Sequence, residues 1–299
     1  MNEFHPKRIL SAVDFSPVSR HVLQWARYFA GAFGAAVEVF HADHVEAPVY
    51  FTSGQVEALN QQLRYHRRSL EQLLRELAER SLGQGIEWNL KITEGPAIDT
   101  LQKRLETDQP DLVVMGSHGR SGVDRLLLGS VAENLVRHAR CPILIVPARS
   151  REHDLPGIHA VLSPLNFTEA ASRSLSVSAS VARAFEAELR ILHAIEDPKE
   201  TEQDVLKRLC SSIDPDVRTI CRLTESVKVG DAAEQILRFA AEIQSDLIVM
   251  AADHRPFLEW STIGTTTIRV MRHSRIPVLI IPGLQMLANS VPLASLVKK

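Results

Sequence analysis

Gly116, Gly119, Gly129 and Ser130 are the residues of this sequence whose types and spacing offer the clearest chemistry. They follow the apolar run Val113-Val114-Met115 and end at the amphipathic Val131-Ala132-Glu133-Asn134-Leu135-Val136, a pattern of strand, glycine-rich loop and helix. Glycine permits positive φ and lets backbone N–H groups approach an oxygen-rich ligand. A helix N-terminus adds unpaired donors and the positive end of its dipole, which favour an anion. Together these are the parts of a phosphate cradle. No Gly-Lys-Ser or Gly-Lys-Thr follows, so the loop is not a Walker loop, and its glycines are not packed into a first βα turn as the dinucleotide fingerprint requires. Ser130 and Glu133 also fit a capping box, a structural role that needs no ligand.

Other groupings of reactive residue types are weaker. His41, Asp43 and His44 sit together at a strand end, but no fourth ligand is placed beside them, and histidines there are ordinarily packed and hydrogen-bonded, so no metal site is assigned. Ser117, His118, Ser121 and Asp124 include the residue types of a hydrolase triad without a Gly-x-Ser-x-Gly elbow, and crowding in sequence is not triad geometry. Arg120 and Arg125 either reach a phosphate or are solvated loop charges. No catalytic base, arginine finger or dedicated metal-binding carboxylate is evident, which points to binding with slow hydrolysis at most and assigns no catalytic residue.

The elements that must position the loop are written twice. Ser11-Ala12-Val13-Asp14-Phe15-Ser16 matches Ser163-Pro164-Leu165-Asn166-Phe167-Thr168, and Val39-Phe40-His41-Ala42 matches Ile191-Leu192-His193-Ala194, both at an offset of 152 residues. Further on the offset is 135: Asp111 to Met115 matches Asp246 to Met250, and Pro142 to Pro147 matches Pro277 to Pro282. The second copy is therefore shorter by 17 residues between its second and third strands. There the first copy carries a long helix with Val56, Leu59, Leu63, Leu70, Leu73, Leu74 and Leu77 at helical spacing, ending near Gly83, and the second keeps a shorter one around Val205 to Leu209. Short β-branched runs alternating with amphipathic stretches predict βα units on a parallel sheet with helices on both faces. Ser16-Pro17 reads as an N-cap followed by an N1 proline, and Asp231 with Glu234 as a capping pair. A polar link, Ala148 to Pro156, divides residues 1–150 from residues 155–299.

Composition bounds the function. At 299 residues the chain has room for two compact domains, and its 45% hydrophobic and 23% charged residues are those of a globular protein. Lysine and arginine number 34 against 36 acidic residues, which leaves no broad basic surface for a nucleic acid. The N-terminus is polar and no segment reaches the ~18 apolar residues of a membrane span, so the expected location is cytoplasmic with no membrane partner. Cys141, Cys210 and Cys221 are too scattered for a zinc site or disulfide framework. The tail after Gly283 carries Leu284, Leu287, Val291, Leu293 and Leu296 and is expected to pack on its own domain.

The spacing Gly116, two residues, Gly119, nine residues, Gly129-Ser130 resembles that of the ATP-binding members of the universal stress protein family, and the likeness extends over both copies. The resemblance implies two tandem open parallel five-stranded sheets with helices on both faces, an adenine nucleotide α-hydrolase-like, Rossmann-like α/β fold. It implies ATP, with Mg or Mn, in the first copy: Asp14 and Ala42 at the adenine and ribose end, and Gly116, Gly119, Gly129 and Ser130 at the phosphates. Asp14 also has a structural reading, as a brace for the turn before Ser16. In the second copy Ala251, His254 and Asn166 replace Gly116, Gly119 and Asp14, although Gly264-Thr265 is kept, so weak or no ATP binding is expected there. The family pairs its closing strands across a two-fold. The strands around Ile143 to Val146 and Val278 to Ile281 are thus expected to make an intrachain pseudo-dimer, with a homodimer of the whole chain also open. The expected role is a stress sensor or adaptor with an unidentified protein partner; the alternatives are a slow ATPase or other ligand-processing enzyme, and a structural protein with a vestigial pocket.

Overall fold

The structure, a computed structural model, describes residues 4–44, 53–119, 128–148, 157–252 and 264–283, with main chain alone at 53–58 and 60. The linker, the tail and the residues Arg120, Ser121, Asp124, Arg125 and His254 lie outside the described residues.

The first half runs β1 (Arg8–Ala12), α1 (Val18–Phe33), β2 (Ala36–Asp43), α2 (Ser53–Leu82), β3 (Trp88–Glu94), α3 (Ala97–Asp108), β4 (Leu112–Gly116), α4 (Ser130–His138) and β5 (Ile143–Val146). The second runs β6 (Ala160–Pro164), α5 (Glu169–Ala184), β7 (Glu188–Ile195), α6 (Glu202–Ser212), α7 (Pro215–Ile220), β8 (Leu223–Val229), α8 (Ala232–Glu242), β9 (Leu247–Ala252), α9 (Thr265–His273) and β10 (Val278–Pro282). The short α6 and α7 replace the 30-residue α2, which accounts for the shorter second copy.

Each half is a five-stranded parallel sheet, in the order β3-β2-β1-β4-β5 and its counterpart β10-β9-β6-β7-β8. The two are not separate sheets. β5 pairs antiparallel with β10, Leu144 opposite Leu279, and the result is one ten-stranded sheet. The expected pairing of closing strands thus occurs within the chain. Central strands are buried on both faces, as the fully apolar β5 and β10 require, whereas the outermost β3 alternates half-buried with exposed residues.

Successive residues of one strand feed opposite cores. Ile9 of β1 belongs to the core of one face, which also holds Phe29 of α1, Leu74 of α2 and Leu175 of α5. Its neighbour Leu10 belongs to the core of the other face, with Leu101 of α3, Leu135 of α4, Ile236 of α8 and Val270 of α9. At the seam between halves, Phe29 and Phe33 meet Phe185 with ring centroids 5.5 and 6.3 Å apart on the first face. On the second, Arg272 of α9 reaches Glu133 of α4 at 3.4 Å. Among the described residues no helix is long and apolar enough to cross a membrane.

The duplication extends to single hydrogen bonds. Asp111 Oδ2 accepts from the backbone N–H groups of Lys7 and Arg8, both at 2.9 Å, and Asp246 Oδ2 accepts from those of His159 and Ala160 at 2.8 and 3.0 Å. The left-handed residues recur as well: Phe15 (φ 61°) with Phe167 (φ 41°), and Gln109 (φ 46°) with Gln244 (φ 51°). Such conformations are costly for non-glycine residues, so their repetition marks turns that both halves must keep.

Glu133 tests the seam. The hydrogen bond from Arg137 is the main cause that holds its carboxyl below the usual range; burial opposes this, and Arg272 adds to the lowering. A depressed carboxyl contributes stability that is present above its unfolded value of about 4.3 and lost as pH falls through the folded value. Glu133→Gln should therefore lower the melting temperature at about pH 7 and shrink the further loss between about pH 5 and about pH 3. Identical acid limbs in thermal melts of the two proteins would show that neither Arg137 nor Arg272 stabilises the charged form of Glu133.

Candidate functional site

In an open parallel sheet the crevice lies beyond the carboxyl ends of the strands, where the strand order reverses. In the first half that point falls between β1 and β4. A cavity of about 140 Å³ opens there, and Asp14, Ala42, Gly116, Gly119, Gly129 and Ser130 all line it. Phe40, Leu101 and Met115 supply apolar walls.

Asp14 follows β1 in a turn where Phe15 takes φ 61°. Its Oδ1 accepts from the Ser16 backbone N–H at 3.0 Å and from the Ser19 hydroxyl at 3.1 Å, while its own N–H donates to Ser19 Oγ at 3.3 Å. The structural reading of Asp14 therefore holds, and the brace presents the same carboxylate at the cavity. The Ser16-Pro17 signal is displaced by a residue: α1 starts at Val18, with Pro17 at the cap position and no side-chain cap. Ser19 was not anticipated; the only sequence trace of it is a serine five residues after the aspartate.

At the other side of the cavity, Gly129 occupies the cap position of α4 with extended backbone and no side-chain cap. The Ser130–Glu133 capping box is not formed, because Ser130 is the first helical residue and the Glu133 carboxylate is drawn to Arg137 at 2.6 Å and to Arg272. The loop is tied down through its main chain. Ser117 N–H donates to Val146 O, and Gly129 N–H donates to Ser117 O, both at 2.8 Å.

The positive φ expected at the glycines is not found. None of Gly116, Gly119 and Gly129 has positive φ; what each supplies is room. A Cβ at Gly116 would lie 2.6 Å from Val18 Cγ1, one at Gly119 would lie 2.8 Å from Asp14 Oδ2, and one at Gly129 would lie 3.2 Å from Ser117 O. Any side chain at Gly119 would displace the Asp14 carboxylate.

The remaining candidates disperse. His41 Nδ1 donates to Val13 O at 2.8 Å, and Asp43 faces His66 Nε2 at 3.2 Å. Among the described residues no cluster of three or more His, Cys, Asp or Glu is placed to hold a metal. Ser117 Oγ lies 2.8 Å from His118 Nδ1 but is buried and also accepts from Ala148 N–H at 3.3 Å, so it is part of the loop's packing. Burial raises the Cys141 thiol to about 12, which leaves it inert.

The second half has its own cavity at the equivalent switch point between β6 and β9, and at about 300 Å³ it is the larger. The residues around it differ from those of the first half in pairs. Ala251 stands for Gly116, but Ala170 stands for Val18, so the extra methyl enters space that the valine would have filled. Ala171 stands for Ser19 and Asn166 for Asp14, and the brace is rebuilt: Asn166 Oδ1 accepts from Thr168 Oγ1 at 2.7 Å, and Thr168 caps α5 by accepting from Ala171 N–H at 3.2 Å.

A doubly wound sheet with a glycine-lined crevice at its switch point defines an open α/β fold. The universal stress protein family model matches residues 5–147 and again residues 157–282, and the chain belongs to that family. Universal stress protein MJ0531 of Methanocaldococcus jannaschii is 30% identical over 151 residues, covering 49% of this chain and 85% of that protein. The crystal structure of a universal stress protein from Archaeoglobus fulgidus shares the fold across both halves, with a TM-score of 0.66 at 20% identity over 94% of this chain and 97% of that one. A putative universal stress protein from Pseudomonas aeruginosa gives a TM-score of 0.61 at 16% identity, covering 95% of each chain.

The pairing of Gly116 with Val18 is directly testable. Gly116→Ala should destabilise the protein by about 1–3 kcal/mol through overpacking. Adding Val18→Ala should recover most of that loss, since the second half already carries the alanine pair. Denaturant unfolding of the two variants decides it; a double variant less stable than Gly116→Ala alone would refute the steric account.

Proposed function

We propose that the first domain, residues 1–150, is an ATP-binding module and that the second, residues 155–299, does not bind ATP with comparable affinity. The observation that carries this reading is the meeting of three bare-backbone positions and the α4 N-terminus with two strand ends in one cavity. The fit of the residues to the ligand is steric and electrostatic. No side chain at Gly116, Gly119 or Gly129 stands between the cavity and the main chain, and the α4 N-terminus favours the charge of a phosphate. Ser130, freed from the capping box, is available to donate to a phosphate. Ala42, Phe40 and Leu101 offer an apolar slot for a base.

ATP would bring phosphate oxygens that can hold Mg or Mn, which explains how a divalent ion could enter without a protein cage. We assign the protein a cytoplasmic role as a stress sensor or adaptor, in which nucleotide occupancy of the cavity changes the surface that a protein partner meets. β5 and β10 each have both edges paired within the chain, so a homodimer would have to use another surface.

Isothermal titration of the full chain with ATP should give one site, and Gly119→Val, which forces a side chain against Asp14, should weaken it at least about tenfold, a cost of about 1.4 kcal/mol, with the fold retained by circular dichroism. No binding, or two equivalent ATP sites per chain, would refute the proposal. Sustained turnover abolished by Gly116→Val would replace the sensor reading with an enzymatic one.

A further inference from the structure

The sheet ends at β3 on one side and at β8 on the other, and among the described residues nothing pairs with the outer edge of β8. That edge is the floor of a cleft of about 490 Å³ between α6 and α8. We infer that the cleft is the docking site of a segment of this same chain, Val291 to Val297, which adds to β8 as an antiparallel strand. The inference is independent of whether either half binds a nucleotide.

The main chain of β8 supplies the first part of the argument. Leu189 N–H donates to Arg222 O and Gly230 N–H donates to Ile195 O, so the even-numbered residues of β8 turn their main chain towards β7. The N–H and C=O groups of Glu225 and Val227 therefore point the other way, to the cleft. A free edge of this kind is a template for another strand. Its walls are apolar on both sides. Val227 and the exposed Leu206 of α6 stand on one face, and Phe239 and Ile243 of α8 on the other. A strand that enters between them must be apolar on both faces.

Val291-Pro292-Leu293-Ala294-Ser295-Leu296-Val297 meets that need, with Ser295 its single polar side chain. The direction follows from the sheet. β10 runs parallel to β9, β6, β7 and β8, so the chain leaves β10 at the margin where β8 ends and would return beside β8 antiparallel to it. The reach is sufficient: the strand spacings from β10 past β8 sum to ~24 Å, and the chain from Gly283 to Val291 extends up to ~29 Å. Proline fixes which residues face the ladder. Pro292 has no N–H and must turn its main chain to solvent, so Val291, Leu293, Ser295 and Val297 turn theirs to β8. Their side chains then share the face of Val227 and Leu206, while Leu296 joins Phe239 and Ile243. Glu202, Glu225 and Glu242 outnumber Arg190 and Lys228 in the lining, which suits Lys298 and Lys299 directly after the segment.

Hydrogen exchange of individual amides, followed by NMR on the full chain, tests the docking. The amides of Glu225 and Val227 should exchange at least about tenfold more slowly in the full chain than in Leu293→Asp, which brings a carboxylate onto the face of Glu225. Leu206→Arg, a change at an exposed side chain of the wall, should release the same two amides, and a chain ended after Gly283 should match both variants. The Ser226 amide, directed at β7, should change by less than about twofold and reports an intact sheet. Equal rates at Glu225 and Val227 in the full chain and in Leu293→Asp overturn the inference. Slow exchange that survives the truncation overturns it too, and if that protection grows with protein concentration the edge belongs to a second copy of the chain.

Discussion

The antiparallel ladder between β5 and β10 is the constraint on which the rest of this molecule depends. Each strand is fully apolar and closes its own parallel sheet, so each half alone would present an unpaired, sticky edge. Joining the edges hides both. It also sets the geometry of function: because the ladder is antiparallel, the strands of the two halves run in opposite directions and their carboxyl ends lie at opposite margins of the sheet. The two cavities therefore face away from each other. Any influence of one on the other must pass through the seam, where Glu133 in the first turn of α4 meets Arg272 in the last turn of α9.

The two halves share a backbone and have diverged in side chains. Asp111 and Asp246 clamp the same pair of N–H groups, and Phe15 and Phe167 hold the same left-handed turn. Around the cavities the residues change in compensating sets. Gly116 goes with Val18 and Ala251 with Ala170; Asp14 goes with Ser19, and Asn166 with Thr168 and Ala171. Close packing explains why the changes come in sets, since a methyl added on one side must be removed from the other. The second half is thus a repacked site with a different surface chemistry.

The repeat and its two offsets, the alternation of strand and helix, and the position of the loop could all be read along the chain, because hydrophobic periodicity is a local signal. All six anticipated residues meet at one cavity for the same reason: each stands next to a strand end or helix start that the pattern locates. Other features were not legible. The glycines suggested positive φ, but their need for space comes from Val18, Asp14 and Ser117, partners that a linear reading does not supply. The capping box at Ser130 is not formed because the helix starts at Ser130 itself and Glu133 is held by Arg137, with Arg272 of the second half at 3.4 Å.

What the sequence determined by itself is the inventory: two copies of one α/β unit, one with an intact glycine pattern and one without, since these follow from residue identity and near-neighbour spacing. What only the tertiary structure decided is how the copies combine and how much room each leaves. One continuous sheet, opposed cavities and the larger volume of the second all arise from contacts between residues more than a hundred positions apart or from packing around missing methyl groups. Those energies depend on three-dimensional proximity, which local patterning does not encode.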